Sequence, residues 1–296
     1  MSLALAYVED NLTDEIDHEK LAQIACCSSY NFHRTFSYIT EISLSEYIRR
    51  RKLTLAAIEL QNSGIKVIDL AAKYGYDSPV SFTRAFQALH GVTPSEARTD
   101  GVMLKAYPRI SFQISIKGEK EMDYRIETKE AFQVFGIEEV FALKEDEAHR
   151  KPSDLWEESH ANGEYERLAK NAGDLPGFVS KDLCKVHAVC SYRETSEDTF
   201  PYMLCALRSS SSSIDGYKVV DIPAHTWAIF PSKRYDWAEF DEVISTLYKR
   251  FFSEWLPTAE YEQIEGLDFE LYGGDDKLGY IELWFAVKKK SHSPAI

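Results

Sequence analysis

Along residues 1–100, apolar positions recur at helical spacing, broken by short polar clusters and glycine, with almost no alternating run. Leu3, Ala6, Tyr7 and Leu12 outline a first helix, and Leu21, Ile24 and Ala25 a short second one. The break Cys26-Cys27-Ser28-Ser29 follows, after which Phe32, Phe36 and Ile39 return on one helical face. A long helix is predicted over about 43–61, ending near Asn62-Ser63-Gly64. The pattern then repeats. Fifty positions on, Phe82, Arg84, Phe86, Ser95 and Glu96 answer Phe32, Arg34, Phe36, Ser45 and Glu46, while Leu70-Ala71 answers Leu21-Ala22 one position sooner. Each copy reads helix, tight turn, helix, a unit whose second helix can enter a major groove. Two such units on one rigid helix can address successive groove faces without a dimer.

After Arg98 the rhythm changes. Gly101, Pro108 and Gly118 break the chain, and Ile110, Phe112, Ile114 and Ile116 alternate with polar residues as one strand. Beyond Met122 the pattern predicts strands over 124–127, 132–140, 186–193, 200–207, 217–221, 225–230, 267–272 and 280–287. Helices are predicted over 153–170 and 237–255, and the serine-rich stretch 209–213 reads as a flexible hairpin end. Without the short lead-in strands this is strand-helix-strand-strand written twice, with a groove between the halves. The expected architecture is an N-terminal all-α domain of two helix-turn-helix units joined by a long helix, then a C-terminal α+β domain. The expected boundaries are 1–106 for the helical domain, 107–121 for a linker or strand, and 122–290 for the α+β domain.

Length and composition agree with two folded domains: 296 residues, 44% hydrophobic and 28% charged. No apolar run reaches the ~18 residues of a transmembrane helix, and the start, MSLALAYVEDNL, lacks the basic stretch of a signal peptide. The five cysteines form no CxxC and have no histidine at ligand spacing, which argues against a metal site and for reduced thiols in a cytoplasm. A net charge of -14 excludes a uniformly basic nucleic-acid binder but leaves room for a focused patch. The one dense basic run before the C-terminal tail is Arg49-Arg50-Arg51-Lys52. Four successive helical residues span about 400°, so they cannot share a face. Arg49, Arg51 and Lys52 are the phosphate candidates, with ion pairs to Glu46 or Glu59 expected for the others.

The segment 65–98, with Ile68, Leu70-Ala71, Gly75-Tyr76, Phe82-Thr83-Arg84-Ala85-Phe86, Gly91 and Thr93-Pro94, resembles the signature of the AraC/XylS family of bacterial transcription regulators. The first copy resembles the other half of that bipartite domain. The resemblance implies promoter DNA and RNA polymerase as partners. It also implies that Tyr30, His33 and Arg34 face bases, with Tyr30, Asn31, His33 and Arg34 on the exposed side of the first recognition helix. In the second copy Ser81, Thr83 and Arg84 hold the matching positions. Phe32, Phe36, Phe82 and Phe86 are expected in the core. An arginine can bind guanine bidentately, for ~1–3 kcal/mol of discrimination. Two positions depart from the family: Cys26 stands where the turn commonly has glycine, and Pro79-Val80 offer no hydrogen bonds at the start of the second recognition helix. The first unit is therefore expected to carry more of the sequence specificity.

The second half resembles the GyrI-like effector-binding domain, often fused behind AraC-type readers as in Rob-like regulators. The matching pieces are 132–136, 228–230, 268–272 and 281–287, with Ala286 where the last strand usually has proline. All five tryptophans lie in this half. Residues i and i+2 share a strand face, so Glu270 stands with Tyr272, and Glu282 with Trp284. A carboxylate among aromatic rings suits a lipophilic cation through charge and cation–π attraction, ~0.5–2 kcal/mol per ring. The resemblance favours Glu270, then Glu282; Tyr192 and Trp227 complete the ligand-site candidates. No cofactor, metal or membrane partner is expected. Two rival functions use the same half: hydrolysis of a strained cyclopropyl compound with Glu270 or Glu282 as general acid/base, and a protein-interaction module without a ligand. The histidines 149, 160, 187 and 225 show no triad spacing.

Overall fold

A computed structural model of the chain describes residues 1–296 except Cys26, 100, 112–120, 143–149, 194, 196–198 and 291–296, and the Glu265 side chain. The chain divides into two compact units, Met1–Ser115 and Ile116–Ile296.

The first unit is helical: α1 (Ser2–Asp10), α2 (His18–Ala25), α3 (Ser29–Thr40), α4 (Leu44–Asn62), α5 (Val67–Lys73) and α6 (Pro79–His90), with a 3-10 turn at Glu96–Arg98. Serine hydroxyls start three of them: Ser28, Ser43 and Ser78 accept from the backbone N–H of Asn31, Glu46 and Ser81 at 3.1–3.2 Å. Pro79 occupies the first turn of α6, where a missing N–H costs nothing. The turn between α5 and α6 passes through Gly75 at φ +77°, a conformation glycine takes without penalty. Its counterpart, Cys26, lies outside the described residues.

Two cores form, and α4 serves both. Its first half gives Leu44 and Tyr47 to a cluster with Leu5, Val8, Phe32 and Phe36. Its second half gives Leu53, Ala56 and Leu60 to a cluster with Leu70, Phe82 and Phe86. All four phenylalanines are buried as expected, each contributing ~1.5–3 kcal/mol of transfer free energy.

At the junction only the start of the expected strand is described. Residues 102–111 form no strand and run along α4, where Tyr107 N–H donates to Thr54 Oγ1 (3.1 Å) and Ile110 N–H to the Tyr47 hydroxyl (3.3 Å). Leu104 and Tyr107 pack on one core and Ile110 on the other. The remainder of the expected strand, Phe112, Ile114 and Ile116, lies outside the described residues.

The second unit holds one antiparallel sheet of nine strands among the described residues: β1 (Arg125–Lys129), β2 (Phe132–Ala142), β3 (His187–Cys190), β4 (Thr199–Leu207), β5 (Lys218–Ile222), β6 (His225–Pro231), β7 (Tyr235–Asp236), β8 (Tyr261–Gly274) and β9 (Leu278–Lys289). Its order is β1-β6-β9-β8-β3-β4-β2-β5, with β7 on β9. Read from either end the order is the lead-in strand of one half followed by the first, third and second strands of the other, so the duplication legible in the sequence is a two-fold arrangement about the β8–β3 seam.

Each half carries its helices after its first strand: α7 (Pro152–Ala161) and α8 (Glu164–Asn171), and then α9 (Phe240–Arg250). The single helix expected over 153–170 is two, split at Asn162-Gly163. The one expected over 237–255 is a 3-10 turn, α9 and a π turn at Phe251–Trp255. The serine loop is anchored rather than free: Ser212 Oγ donates to Ala172 O (2.6 Å), and Asp174 N–H donates to Ser211 Oγ (2.8 Å).

Candidate functional site

In the first unit, α6 presents Val80, Ser81, Arg84 and Gln87 to solvent, while Thr83 is half-buried. Arg84 has no ion-pair partner among the described residues. On α3 the expected surface is only partly there. Asn31 and His33 are buried, which corrects their placement on the exposed side. The cause for His33 is its neighbour on α2: the two imidazoles, His18 and His33, face each other at 5.1 Å and share a 3.1 Å ring-nitrogen contact. Tyr30 and Arg34 are half-buried, with Arg34 donating to the Tyr30 hydroxyl at 2.8 Å.

The basic run splits as helical geometry requires. Arg49 and Arg50 both pair with Glu46. Arg51 turns the other way, to Glu9 (2.8 Å, side chains 11% and 8% exposed) and to Tyr107 O (2.6 Å). That removes Arg51 from the phosphate candidates and makes it a rivet between α1, α4 and the junction. Burial opposes ionisation of Glu9, yet its bonds to Arg51 and Tyr47 hold its carboxyl below the usual range. Lys52 is half-buried beside Gly75, and burial lowers its pKa, so it too turns inward. Glu59 pairs with Lys73 (2.8 Å) rather than with the basic run.

In the second unit strand register sorts the ligand candidates. Glu270 stands opposite Leu283 and Leu271 opposite Glu282, so the two carboxylates point to opposite faces of one sheet. Glu270 and Tyr272 line a cavity of about 890 Å³ between α7, α8 and α9. Glu270, 7% exposed, accepts from the hydroxyls of Tyr272 (2.6 Å) and Tyr248 (2.7 Å). Trp156 of α7 donates its indole N–H to the Tyr202 hydroxyl (2.8 Å) and meets the Tyr272 ring edge to face at 5.1 Å. Phe240 flanks Tyr272 from the other side at 6.0 Å. Burial first, then the Glu270 charge, raises Tyr202 and Tyr272 well above an ordinary phenol, so both stay protonated donors.

The remaining ligand candidates do not line this cavity, which corrects their assignment. Glu282, 2% exposed, is saturated on the other face by the Trp284 indole (2.8 Å), the Tyr280 hydroxyl (2.7 Å) and Arg125 (2.8 Å). Trp227 and Trp284 are core, their rings 5.8 Å apart, and Tyr192 donates to Glu138. An i, i+2 rule places two side chains on one face but cannot say which face is core. Sequence reasoning missed Trp156, Tyr202 and Phe240. The signal was the duplication itself, which lays a helix over each half and turns one face of each toward the central strands.

Comparison with known proteins bears on both units. Residues 21–100 match the family model described as a helix-turn-helix domain. The transcriptional activator AarP of Providencia stuartii is 40% identical over 95 residues, which cover 32% of this chain and 70% of AarP. MarA of Escherichia coli, a multiple antibiotic resistance protein, is 35% identical over 94 residues, 32% of this chain and 74% of its own. The chain belongs to the AraC-type regulators. Its second unit is an effector-binding domain of GyrI-like type: residues 125–287 match the family model described as integron-associated effector binding protein. A protein solved bound to tetraphenylphosphonium aligns with a TM-score of 0.42 at 16% identity, over 56% of this chain and 94% of that one. This AraC-type regulator thus joins a DNA-binding unit to an effector-binding unit. No helix among its described residues is long and apolar enough to cross a membrane.

Proposed function

We propose that the cavity holding Glu270 binds a lipophilic organic cation and that its occupancy sets how the regulator engages promoter DNA and RNA polymerase in the cytoplasm. The observation that carries this reading is a buried carboxylate at the inner wall of an aromatic cavity. A soft, bulky cation loses little hydration on entry and gains the Glu270 charge plus ring faces worth ~0.5–2 kcal/mol each. Neutral aromatic molecules gain only the apolar part. The rival reading, a hydrolase using Glu270 as general acid/base, is separated by a turnover assay; the two phenols donating to its oxygens support the carboxylate as a fixed charge.

On the DNA side the exposed Ser81 and Arg84 of α6 are the base-reading candidates, with Tyr30, Arg34 and Thr83 beside them and Arg49 toward phosphate. This reading moves the weight of recognition toward the second helix-turn-helix, α5 and α6. Arg84→Ala is expected to cost about 1–3 kcal/mol of discrimination between promoter and mismatched duplex, read by fluorescence anisotropy at fixed salt. Regulation requires that the cation bind the DNA-competent and DNA-incompetent states unequally. Promoter affinity measured with and without an aryl quaternary ammonium should therefore change for the wild type and not for Glu270→Gln. A cation that binds and leaves promoter affinity unchanged would refute the regulatory half of the proposal.

A further inference from the structure

Resting on the cation reading of the cavity, a second observation narrows the effector. The cavity lining carries five carboxylates, one inside and four at its mouth, and none of its described residues is lysine or arginine. Glu270 is the inner one; Glu157, Asp241, Asp275 and Asp276 are exposed at the mouth. An exposed aromatic stands among them. Trp237 is 40% exposed, and its indole N–H donates to Asp275 O (2.9 Å), which ties the ring to the β8–β9 hairpin. Asp275 is committed to that hairpin, accepting from the N–H groups of Lys277 and Leu278 at 2.9 and 3.0 Å and pairing with Arg234 at 3.4 Å. Asp241, in the first turn of α9, and Asp276 have no hydrogen-bond or ion-pair partner among the described residues. The mouth therefore repeats the inner chemistry, an aromatic face with acid beside it.

The geometry points to an effector with two cationic centres joined by an apolar middle: one centre at Glu270, the other at Trp237 with Asp241 and Asp276. Its apolar middle crosses the wall formed by Trp156, Phe240 and Tyr272. A single charge at Glu270 leaves the exposed acids of the mouth unneutralised, and their summed negative potential favours a second cation there. Solvent screens the mouth, so its contribution is moderate and sensitive to salt.

The test uses the full chain and two probes sharing one biphenyl: the mono(trimethylammoniomethyl) and the 4,4′-bis(trimethylammoniomethyl) forms, titrated by calorimetry. The wild type is expected to bind the bis-cation about fivefold more tightly than the mono-cation at low salt, a ratio that falls toward one in about 1 M salt. Asp241→Asn/Asp276→Asn should bring the low-salt ratio below about twofold. Trp237→Ala should lower it too, and an unshifted melting temperature shows that each variant keeps its fold. Equal affinity for both probes in the wild type, or a ratio that survives the double substitution, overturns the two-centre proposal. If neither probe binds the wild type, the cation reading fails and takes this inference with it. Mono-cation binding that depends on Glu270 without any bis-cation preference leaves the first reading standing and removes only the second.

Discussion

Glu270 and Glu282 lie on neighbouring strands of one sheet, both nearly buried, both two residues from an aromatic that hydrogen-bonds to them. Their surroundings differ in kind. Glu282 meets an arginine, an indole and a phenol and closes a structural network in front of a tryptophan core. Glu270 meets two phenols at the wall of a cavity. An acid beside an aromatic on a strand is thus not in itself a ligand site. One residue of register separates an acid on a cavity wall from a counter-ion for the fold.

The largest expected effect breaks the structural member. Glu282→Gln removes the buried anion shared by the Trp284 and Tyr280 donors and by Arg125, which keeps Glu127, and should cost about 2–3 kcal/mol in chemical denaturation. Cation affinity should stay within about twofold, since no ligand atom would touch it. A comparable loss of affinity would mean that both faces serve the ligand.

A second effect, about half as large per pH unit, separates the faces by pH. His187, paired with Cys205 on the Glu282 face, is fully buried; burial alone depresses its pKa to about 3. Its Nδ1 accepts the Tyr272 N–H at 3.2 Å, so the neutral ring also holds the backbone beneath the cavity phenol. The unfolded chain takes up the proton near the ordinary 6.5 and the folded chain does not. The stability this group contributes is therefore complete above about pH 6.5 and is lost as the pH falls, by up to about 1.4 kcal/mol per unit. His187→Gln should flatten that slope in the second unit's unfolding transition; an unchanged slope would show that another group carries the acid sensitivity.

The smallest effect probes the cavity wall. Trp156→Phe keeps an aromatic ring and deletes the N–H donated to Tyr202, so cation affinity should fall about threefold, with stability lowered by about 1 kcal/mol. A loss greater than that of Glu270→Gln would make the aromatic wall, rather than the charge, the main determinant.

How much of this was legible in the sequence follows from what each signal can encode. The repeated Phe-x-Arg-x-Phe pattern and the duplicated α+β order pointed to two domains and to an internal duplication in the second, because periodicity reports which residues face a core; the strand order was not legible. Local turn chemistry was underread: Asn162-Gly163 splits a predicted helix, and β8 runs from Tyr261 through a bulge at Gly266 that hid its first half behind a register shift. Pairing partners were not legible at all. His18 beside His33, Glu9 beside Arg51 and Tyr202 near Glu270 are brought together by tertiary packing, and the first two changed the assignment of a candidate residue.

The central claim is that charge at Glu270, and not at Glu282, recruits a lipophilic cation to the α7–α9 cavity. Calorimetric titration of the mono-quaternary biphenyl probe into wild type, Glu270→Gln and Glu282→Gln at neutral pH decides it. The account predicts an affinity loss of about thirtyfold, roughly 2 kcal/mol, for Glu270→Gln and near-wild-type binding for Glu282→Gln. Equal affinities for wild type and Glu270→Gln would contradict it.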